Sequence, residues 1–276
     1  MKRIHEIERR LRSLKALGEV VTAMKSLSAH HLREARAAVE PARTYQEGVE
    51  RLLPADVTAE PAPAGPHGLV AIGAELGLCG AYNARLVNEA AKRRAELGLG
   101  PTLCVGSRAA RLLARRGVEV RHVYPAPTGV RGVSDLLLRL AEDVLTAYGK
   151  ERLAGFEIVS SRFCGVGLDV PGAVPLLPIG GDHNASTAPP ARYVSRLRFR
   201  DAVVRELLYV VLYHLLIDAL AAEHGARLLA TQSAETWIDE GSERLRRQLA
   251  AARREASTQE LIEIAAGVRA RKQSRV

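Results

Sequence analysis

The sequence predicts an α/β protein combined with a long coiled coil, in which the N- and C-terminal helices form a rod. A helical pattern opens the chain, from Lys2 to about Leu53. Another, without any proline, runs from about Asp201 to Arg269. Both are far longer than the helix of about a dozen residues that a compact domain favours. Between them, from about Leu69 to Pro178, short apolar runs alternate with helical patterns.

The first helix carries an apolar seam for a partner helix. The seam starts with Ile4, Ile7, Leu11 and Leu14 at spacings of three and four residues. We expect the seam then to slip by three residues, which changes the local supercoil without ending the helix. The residues of this second phase are Leu17, Val20, Met24, Leu27 and His31.

Prolines mark the end of the first helix. Pro41 should kink or interrupt it, because proline lacks the backbone donor that a helix interior needs. An extended linker should follow, formed by Pro54, Pro61, Pro63 and Pro66. We therefore place the N-terminal helical segment at residues 1–57, the central domain at 68–190 and the C-terminal helical segment at 200–276.

Periodicity alone leaves an alternative open for both terminal segments. Each could break into two or three packed helices of an ordinary bundle. In the C-terminal segment the weak points for such breaks are Gly225, Gly241 and Gly267. A coiled coil of the two termini is the more economical interpretation.

The central segment follows a β-α-β-α order, which is typical of a small, mainly parallel sheet covered by helices. We expect a Rossmann-like α/β domain with a mobile loop at residues 179–190. The expected strands are Leu69–Ile72, Thr102–Val105 and Phe156–Ser160, and the expected helices are Ala84–Leu97, Ser107–Arg116 and Ser134–Tyr148.

Composition restricts the class of protein. The formal net charge is +9, so a basic surface could attract nucleic acid, anionic lipid or an acidic protein. The three cysteines are far apart and fit no metal spacing or disulfide framework, which favours a reducing cytosol. The apolar run 207–220 is interrupted by His214 and Asp218 and is too short to span a bilayer.

The segment that follows the first expected strand contains a glycine-rich turn. Gly73, Gly77 and Gly80 match neither the dinucleotide fingerprint nor the nucleotide-triphosphate loop. We therefore expect a tight turn that feeds Asn83 as a helix cap, with Cys79 as a small buried apolar residue. No cofactor is expected there.

The remaining candidate sites have plainer interpretations. Asp182 and His183 are adjacent and lack a third ligand at a useful spacing. His30 and His31 should point in different directions from one helix and not form a pair. Neither a metal site nor a catalytic nucleophile with its base can be read from the chain. An arginine cluster should be a solvated helix face; its members are Arg244, Arg246, Arg247, Arg253 and Arg254.

Four segments, in order along the chain, resemble the gamma subunit of F-type ATP synthases. The first is the Ala23-Met24 pair, the second is GLCGAYN at 77–83, the third is AEHGARL at 222–228, and the fourth is Arg253 followed by STQELIEI at 257–264. Weaker similarity fills the intervals, so the resemblance covers essentially the whole chain.

The resemblance implies a divergent bacterial member of that family, a non-catalytic rotor shaft without bound cofactor or metal. Its terminal helices would form an antiparallel coiled coil inside the catalytic ring of alpha and beta subunits. Its central domain would lie as a foot on the epsilon subunit and the membrane c-ring. The shaft would thus be held at the cytoplasmic face of the bacterial inner membrane through the complex, without direct membrane insertion and without nucleic acid as a partner.

The resemblance also implies particular contact residues. Contacts with other subunits would be made by Met24, Lys25, Arg253, Arg254, Thr258, Gln259 and Glu260. A foot-domain motif with a more structural role would comprise Gly77, Leu78, Cys79, Gly80 and Tyr82. The chain departs from the family pattern at Thr22, where lysine is usual, and in the basic segment 191–196. Two alternatives from other classes are a basic coiled-coil adaptor that binds nucleic acid and an enzyme that uses the α/β domain.

Overall fold

The computed structural model describes residues 2–52, 65–179 and 193–273, with side chains given for 3–52, 65–179, 193–195 and 197–266. Along the sequence, one long helix precedes and another follows a five-stranded sheet with its covering helices. In chain order the elements are α1 (Lys2–Glu50), β1 (His67–Ile72), α2 (Tyr82–Leu97), β2 (Thr102–Val105), α3 (Ser107–Arg115), β3 (His122–Tyr124), a 3-10 turn (Val130–Gly132), α4 (Val133–Lys150), β4 (Gly155–Gly165), β5 (Leu168–Leu177) and α5 (Arg196–Gln273).

Both terminal segments are single helices, so the bundle alternative is wrong. Helix α1 has 49 residues and α5 has 78. The prediction that Pro41 interrupts the first helix is also wrong, because α1 continues for nine residues past it. Proline costs the helix one backbone hydrogen bond. Apolar packing of Ala42 and Val49, both buried, supports this last part of the helix.

By contacts, the chain divides into two compact units. The first, the helical unit, contains residues 1–25 and 231–276. The second, the sheet unit, contains residues 26–230.

In the helical unit the two chain segments run antiparallel. Glu8 pairs with Arg253 near one end, and Lys25 pairs with Glu235 near the other. Between these ion pairs, Gly18 lies against Ile238 and Gly241 lies against Leu14. As the residue number rises on one helix, it falls on the other.

The apolar seam of α1 does not slip. Val21 is 1% exposed and continues the series Ile7, Leu11, Leu14 and Gly18 at unchanged spacings of three and four residues. Leu17 and Val20, which we expected in the seam, are 44% and 54% exposed. The expected slip was inferred from apolar residues alone. The actual seam instead includes Gly18, which lies against Ile238 although it has no apolar side chain.

The sheet has the order β3-β2-β1-β4-β5 and is mixed. The first four strands are parallel, whereas β5 returns antiparallel to β4. The predicted β-α-β-α order is therefore confirmed, and Thr102–Val105 is placed to the residue. The finer Rossmann-like description is not confirmed, because a hairpin replaces the helix that would follow β4 in a doubly wound sheet.

Two short or irregular strands, both at the edges of the sheet, were missed. Strand β3 has only three residues. Strand β5 contains Pro171 and Pro175, which argue against a strand unless it lies at an edge. An edge strand has an unpaired side, where a missing backbone donor costs little.

Both faces of the sheet are covered, as a parallel sheet requires. On β1, Val70 and Ile72 face one apolar cluster, and Leu69 and Ala71 face another. Helices α2 and α3 cover the second cluster. The first contains α4 together with Leu32 and Ala35 of α1 and the stretch 208–221 of α5. None of the helices in the described residues has a stretch long and apolar enough to cross a bilayer.

Matched glycine substitutions test this packing. A Cβ at Gly73, at the end of β1, would lie 2.3 Å from the Cβ of Ala109 on α3, so Gly73→Ala should destabilise the protein by about 1–3 kcal/mol. Gly149 on α4 has no neighbour within 4 Å, and Gly149→Ala should stabilise the protein by about 0.5–1 kcal/mol. Urea unfolding measures both changes. Equal effects of the two substitutions would contradict the packing described here.

Candidate functional site

The turn after β1 contains the motif that the sequence singled out. Leu78 and Gly80 both have positive φ angles, +57° and +55°. A left-handed conformation is costly for a leucine, so the surroundings must hold it in place. Leu76 and Leu78 remain 49% and 41% exposed at the tip of the turn.

Cys79 and Tyr82 hold the turn against helix α5. Cys79 is buried, as predicted, and burial raises the pKa of its thiol. Tyr82 is 1% exposed and donates a hydrogen bond to the carbonyl of Ala219 on α5, at 3.3 Å. Both residues pack against Ala222 and Ala226 of α5. In the foot-domain motif, Cys79 and Tyr82 therefore have a structural place, whereas Leu78 is open to a partner.

Asn83 does not cap a helix, so that prediction is wrong. Helix α2 already begins at Tyr82, with Ala81 before it. Asn83 is buried, and its Oδ1 accepts a hydrogen bond from the backbone N–H of Ala74 at 2.9 Å. The side chain therefore bonds to the backbone of the turn after β1 and not to the first N–H groups of a helix.

A carboxylate of the turn after β1, that of Glu75, occupies the N-terminus of α3, the helix that follows β2. Glu75 accepts hydrogen bonds from the N–H and the hydroxyl of Ser107, at 3.0 and 2.6 Å, at the start of α3. Glu75 also accepts a hydrogen bond from the backbone N–H of Ala126, at 3.2 Å. Burial tends to raise the pKa of Glu75, but these hydrogen bonds outweigh burial and lower it. The helix N-terminus, which favours an anion, is thus satisfied from within the chain.

A buried ion pair on α5 holds the turn to the helix. Nη2 of Arg227 lies 2.5 Å from Oε1 of Glu223, and both side chains are at least 90% buried. Nε of Arg227 donates to the carbonyl of Gly77 at 3.1 Å, and Nη2 donates to that of Leu76 at 3.4 Å. Burial raises the pKa of Glu223, and the adjacent Arg227 opposes this shift. The four-residue spacing of Glu223 and Arg227 within a helical pattern was the available signal for this pair.

His224 completes this group. Its Nε2 lies 3.2 Å from the carbonyl oxygen of Thr128, and its Nδ1 lies 3.3 Å from Nη1 of Arg227. A carbonyl only accepts and a guanidinium only donates, so these contacts require neutral histidine with the proton on Nε2. Burial, and then the charge of Arg227, lower the pKa of His224 from 6.5 to about 3.

The predicted subunit-contact residues lie in the helical unit. Lys25 is half-buried and its Nζ lies 2.6 Å from Oε2 of Glu235. Met24 is also half-buried. Arg253 lies 2.7 Å from Glu8, so it joins the two helices. Lys25 and Arg253 therefore already have partners within the chain.

The other predicted contact residues lie on an exposed stretch of α5. Arg254 and Thr258 donate hydrogen bonds to backbone carbonyls of their own helix, at Ala250 and Arg254. Gln259 contacts Glu263 one turn later, and Glu260 is exposed. This face is available to a partner chain. In the arginine cluster, Arg247 pairs with Glu243, which agrees with a solvated face.

The prediction that His30 and His31 do not form a pair is wrong. Their ring centroids lie 5.3 Å apart, and both imidazoles approach the carboxylate of Glu34. The shared carboxylate one turn later was overlooked. Asp182 and His183, and Ala191 and Arg192 of the basic segment, lie outside the described residues.

His224 should make the stability of the sheet unit depend on pH. The pKa of His224 is lower in the folded chain than in the unfolded chain. Below about pH 6.5 the unfolded chain therefore binds an extra proton, and the free energy of unfolding decreases as the pH is lowered. Between pH 7 and 5 this single group should remove about 2 kcal/mol. His224→Gln, which keeps a donor and an acceptor, should lose that much less over the same interval.

Urea unfolding followed by circular dichroism at both pH values measures the difference. His122→Gln, at an exposed histidine, is the matched control and should keep the wild-type dependence. An unchanged pH dependence in His224→Gln would contradict the buried neutral state.

Comparisons with known proteins extend along nearly the whole chain. The family model described as ATP synthase matches residues 3–270. The ATP synthase gamma chain of Moorella thermoacetica is 31% identical, with 99% of this chain and all of the relative covered. That of Heliobacterium modesticaldum is 30% identical, with 97% and 98% covered. No comparison supports the nucleic-acid-binding alternative.

Solved structures share the fold. A chain of the Euglena gracilis mitochondrial ATP synthase, from a structure of OSCP, F1 and c-ring, has a TM-score of 0.70 at 15% identity, with 98% of this chain and 94% of that chain covered. One from the central stalk and c-ring of the Tetrahymena thermophila enzyme has a TM-score of 0.61 at 18% identity, with 78% and 99% covered. Since the family model and the curated relatives cover the same residues as the four motifs, the chain belongs to the ATP synthase gamma-chain family.

Proposed function

We propose that this chain is the central rotor shaft of an F-type ATP synthase. It transmits torque between the membrane c-ring and the catalytic alpha–beta ring, and so couples ion translocation to ATP synthesis or hydrolysis. It is a non-catalytic subunit. Membership of the gamma-chain family supports this role, and so does the chemistry of the helical unit.

The observation that carries the proposal is the apolar surface of the helical unit. Leu17 and Val20 are about half exposed on α1, and Trp237 is 62% exposed on α5. Further along α5, Leu261 and Ile264 are 68% and 64% exposed. Leu17 and Val20 are one turn apart on α1, and Leu261 and Ile264 are one turn apart on α5, so each pair adjoins on its helix, and contiguous apolar patches mark interaction sites. A surface of this kind is suited to being enclosed by other subunits.

Partners can be assigned to the two units. For the helical unit we propose the alpha and beta subunits, with Met24, Thr258, Gln259 and Glu260 among its contacts. For the sheet unit we propose the epsilon subunit and the c-ring, with the exposed Leu78 near that surface. The chain would then be peripheral to the bacterial inner membrane, at its cytoplasmic face. The division into segments 1–57, 68–190 and 200–276 remains part of this proposal.

Coupling can be stated as a difference in binding free energy. Each angular position of an asymmetric shaft would stabilise one conformation of each beta subunit over the others. Nucleotide would bind to those subunits and not to this chain. Two features support this assignment: the glycines of the turn after β1 match no nucleotide-binding motif, and Glu75 already fills the anion-binding N-terminus of α3.

A charge at Met24 tests the bearing role. In the reconstituted complex, Met24→Glu should lower the number of ions moved per ATP hydrolysed, because an uncompensated carboxylate would face an apolar partner surface. Ala37→Glu, at an exposed position of the same helix in the sheet unit, is the control and should retain coupling. Circular dichroism monitors folding. Loss of fold in parallel with loss of coupling would argue against a bearing contact.

Purification of the tagged full-length chain from its native host tests the assignment as a whole. Mass spectrometry should identify alpha, beta and epsilon subunits and the ring subunit in the same particle. Recovery of the chain alone, or with nucleic acid, would contradict the proposal.

A further inference from the structure

Three side chains on neighbouring turns of α1 converge at the surface of the sheet unit. Nδ1 of His31 lies 3.2 Å from one carboxylate oxygen of Glu34, and Nε2 of His30 lies 3.5 Å from the other. Ligand atoms of all three residues lie within 4.8 Å of one another. Among the described residues, this is the group of three histidine, cysteine or acidic side chains that comes together so closely.

These separations suit a tetrahedral metal ion. With metal–nitrogen and metal–oxygen bonds of about 2.0–2.2 Å, two ligand atoms around a tetrahedral ion lie about 3.4 Å apart. The distance from Nδ1 of His31 to Oε2 of Glu34, 3.2 Å, is already close to this value, whereas Nε2 of His30 lies 3.5 Å from the other carboxylate oxygen, Oε1. The side chain of His30 is 56% exposed and is free to turn the remaining distance.

His31 is held in place by its surroundings. Its side chain is only 17% exposed, and its ring centroid lies 5.1 Å from that of His224 on α5. His224 cannot act as a ligand, because Thr128 and Arg227 occupy its two ring nitrogens. The neighbouring ring therefore orients His31 without competing for an ion.

Gly129 leaves the space beside His31. A Cβ at this position would lie 3.0 Å from Nδ1 of His31, which is tighter than ordinary contact. The backbone of Gly129 is extended, with φ −159° and ψ 172°, a conformation that any residue adopts. Space around the imidazole, and not backbone conformation, therefore favours glycine here.

We propose that His30, His31 and Glu34 form a binding site for a divalent transition-metal ion of the Zn²⁺ type. Two imidazoles and one carboxylate suit Zn²⁺, Co²⁺, Ni²⁺ or Cu²⁺, whereas Mg²⁺ and Ca²⁺ prefer oxygen ligands alone. Water completes the coordination on the exposed side. The site does not depend on the rotor assignment, because it rests on contacts within this chain alone.

Binding of Zn²⁺ and Co²⁺ to the purified, tag-free full-length chain tests this proposal. The Cys164→Ser background removes the one described cysteine that is exposed. Calorimetric titration with Zn²⁺ should give one site per chain, and Co²⁺ should give a visible spectrum without a thiolate charge-transfer band. Glu34→Gln and His30→Ala should each weaken binding at least about tenfold.

A matched control comes from the same helix. His5 lies 3.5 Å from Glu8, but no second histidine of the described residues joins them, and Glu8 already accepts a hydrogen bond from Arg253. His5→Ala should therefore leave the affinity unchanged. Gly129→Ala should weaken binding through its pressure on His31, while circular dichroism remains that of the wild type.

Two results would overturn the site. One is the absence of saturable Zn²⁺ binding to the full chain. The other is binding that survives both Glu34→Gln and His30→Ala, which would place the ion elsewhere. Neither result would bear on the rotor assignment, which the co-purification experiment tests separately.

Discussion

The buried ion pair of Arg227 and Glu223 is the interaction on which the sheet unit depends. Arginine and glutamate are costly to bury singly, and removing one partner of such a pair typically costs about 3–5 kcal/mol. Here the guanidinium also donates hydrogen bonds to two backbone carbonyls of the turn after β1, those of Leu76 and Gly77. The side chain of Arg227 thus supplies hydrogen-bond donors to the carbonyls of a turn in which Leu78 has a positive φ angle. The same guanidinium keeps His224 neutral, and His224 in turn orients His31 on α1.

Much of the architecture could be predicted because it rests on local periodicity. The alternation of apolar runs and helical patterns indicated three of the parallel strands, and Thr102–Val105 was placed to the residue. Strand β5 was missed because Pro171 and Pro175 are compatible with a strand only where one side is unpaired, which depends on the order of strands. The seam of α1 was misjudged after Leu14 because a glycine can serve as a contact position, whereas apolar periodicity counts only large side chains.

Functional groups were predictable only in part, because most of them meet through tertiary contacts. The motif around Cys79 and Tyr82 was recognised from the sequence, yet its partners on α5 lie about 140 residues away. Glu75 was not singled out, since an isolated glutamate in a glycine-rich turn gives no sign that it will reach Ser107. His30 and His31 were dismissed because adjacent helical residues diverge, but the carboxylate of Glu34 lies within 3.5 Å of both imidazoles. The glycine-rich turn was examined only for nucleotide-binding motifs, whereas in the fold its Glu75 binds the N-terminus of α3.

The prolines of β5 have a consequence for the exposed border of the sheet. Strand β5 pairs with β4 on one side, and proline has no N–H to offer a strand on the other. A foreign strand docking there would lose two of the donors that hold β-structure together, so edge-to-edge association and aggregation are disfavoured. In the proposed role as a rotor shaft, this protection would act before assembly, while the apolar side chains of the helical unit are still uncovered.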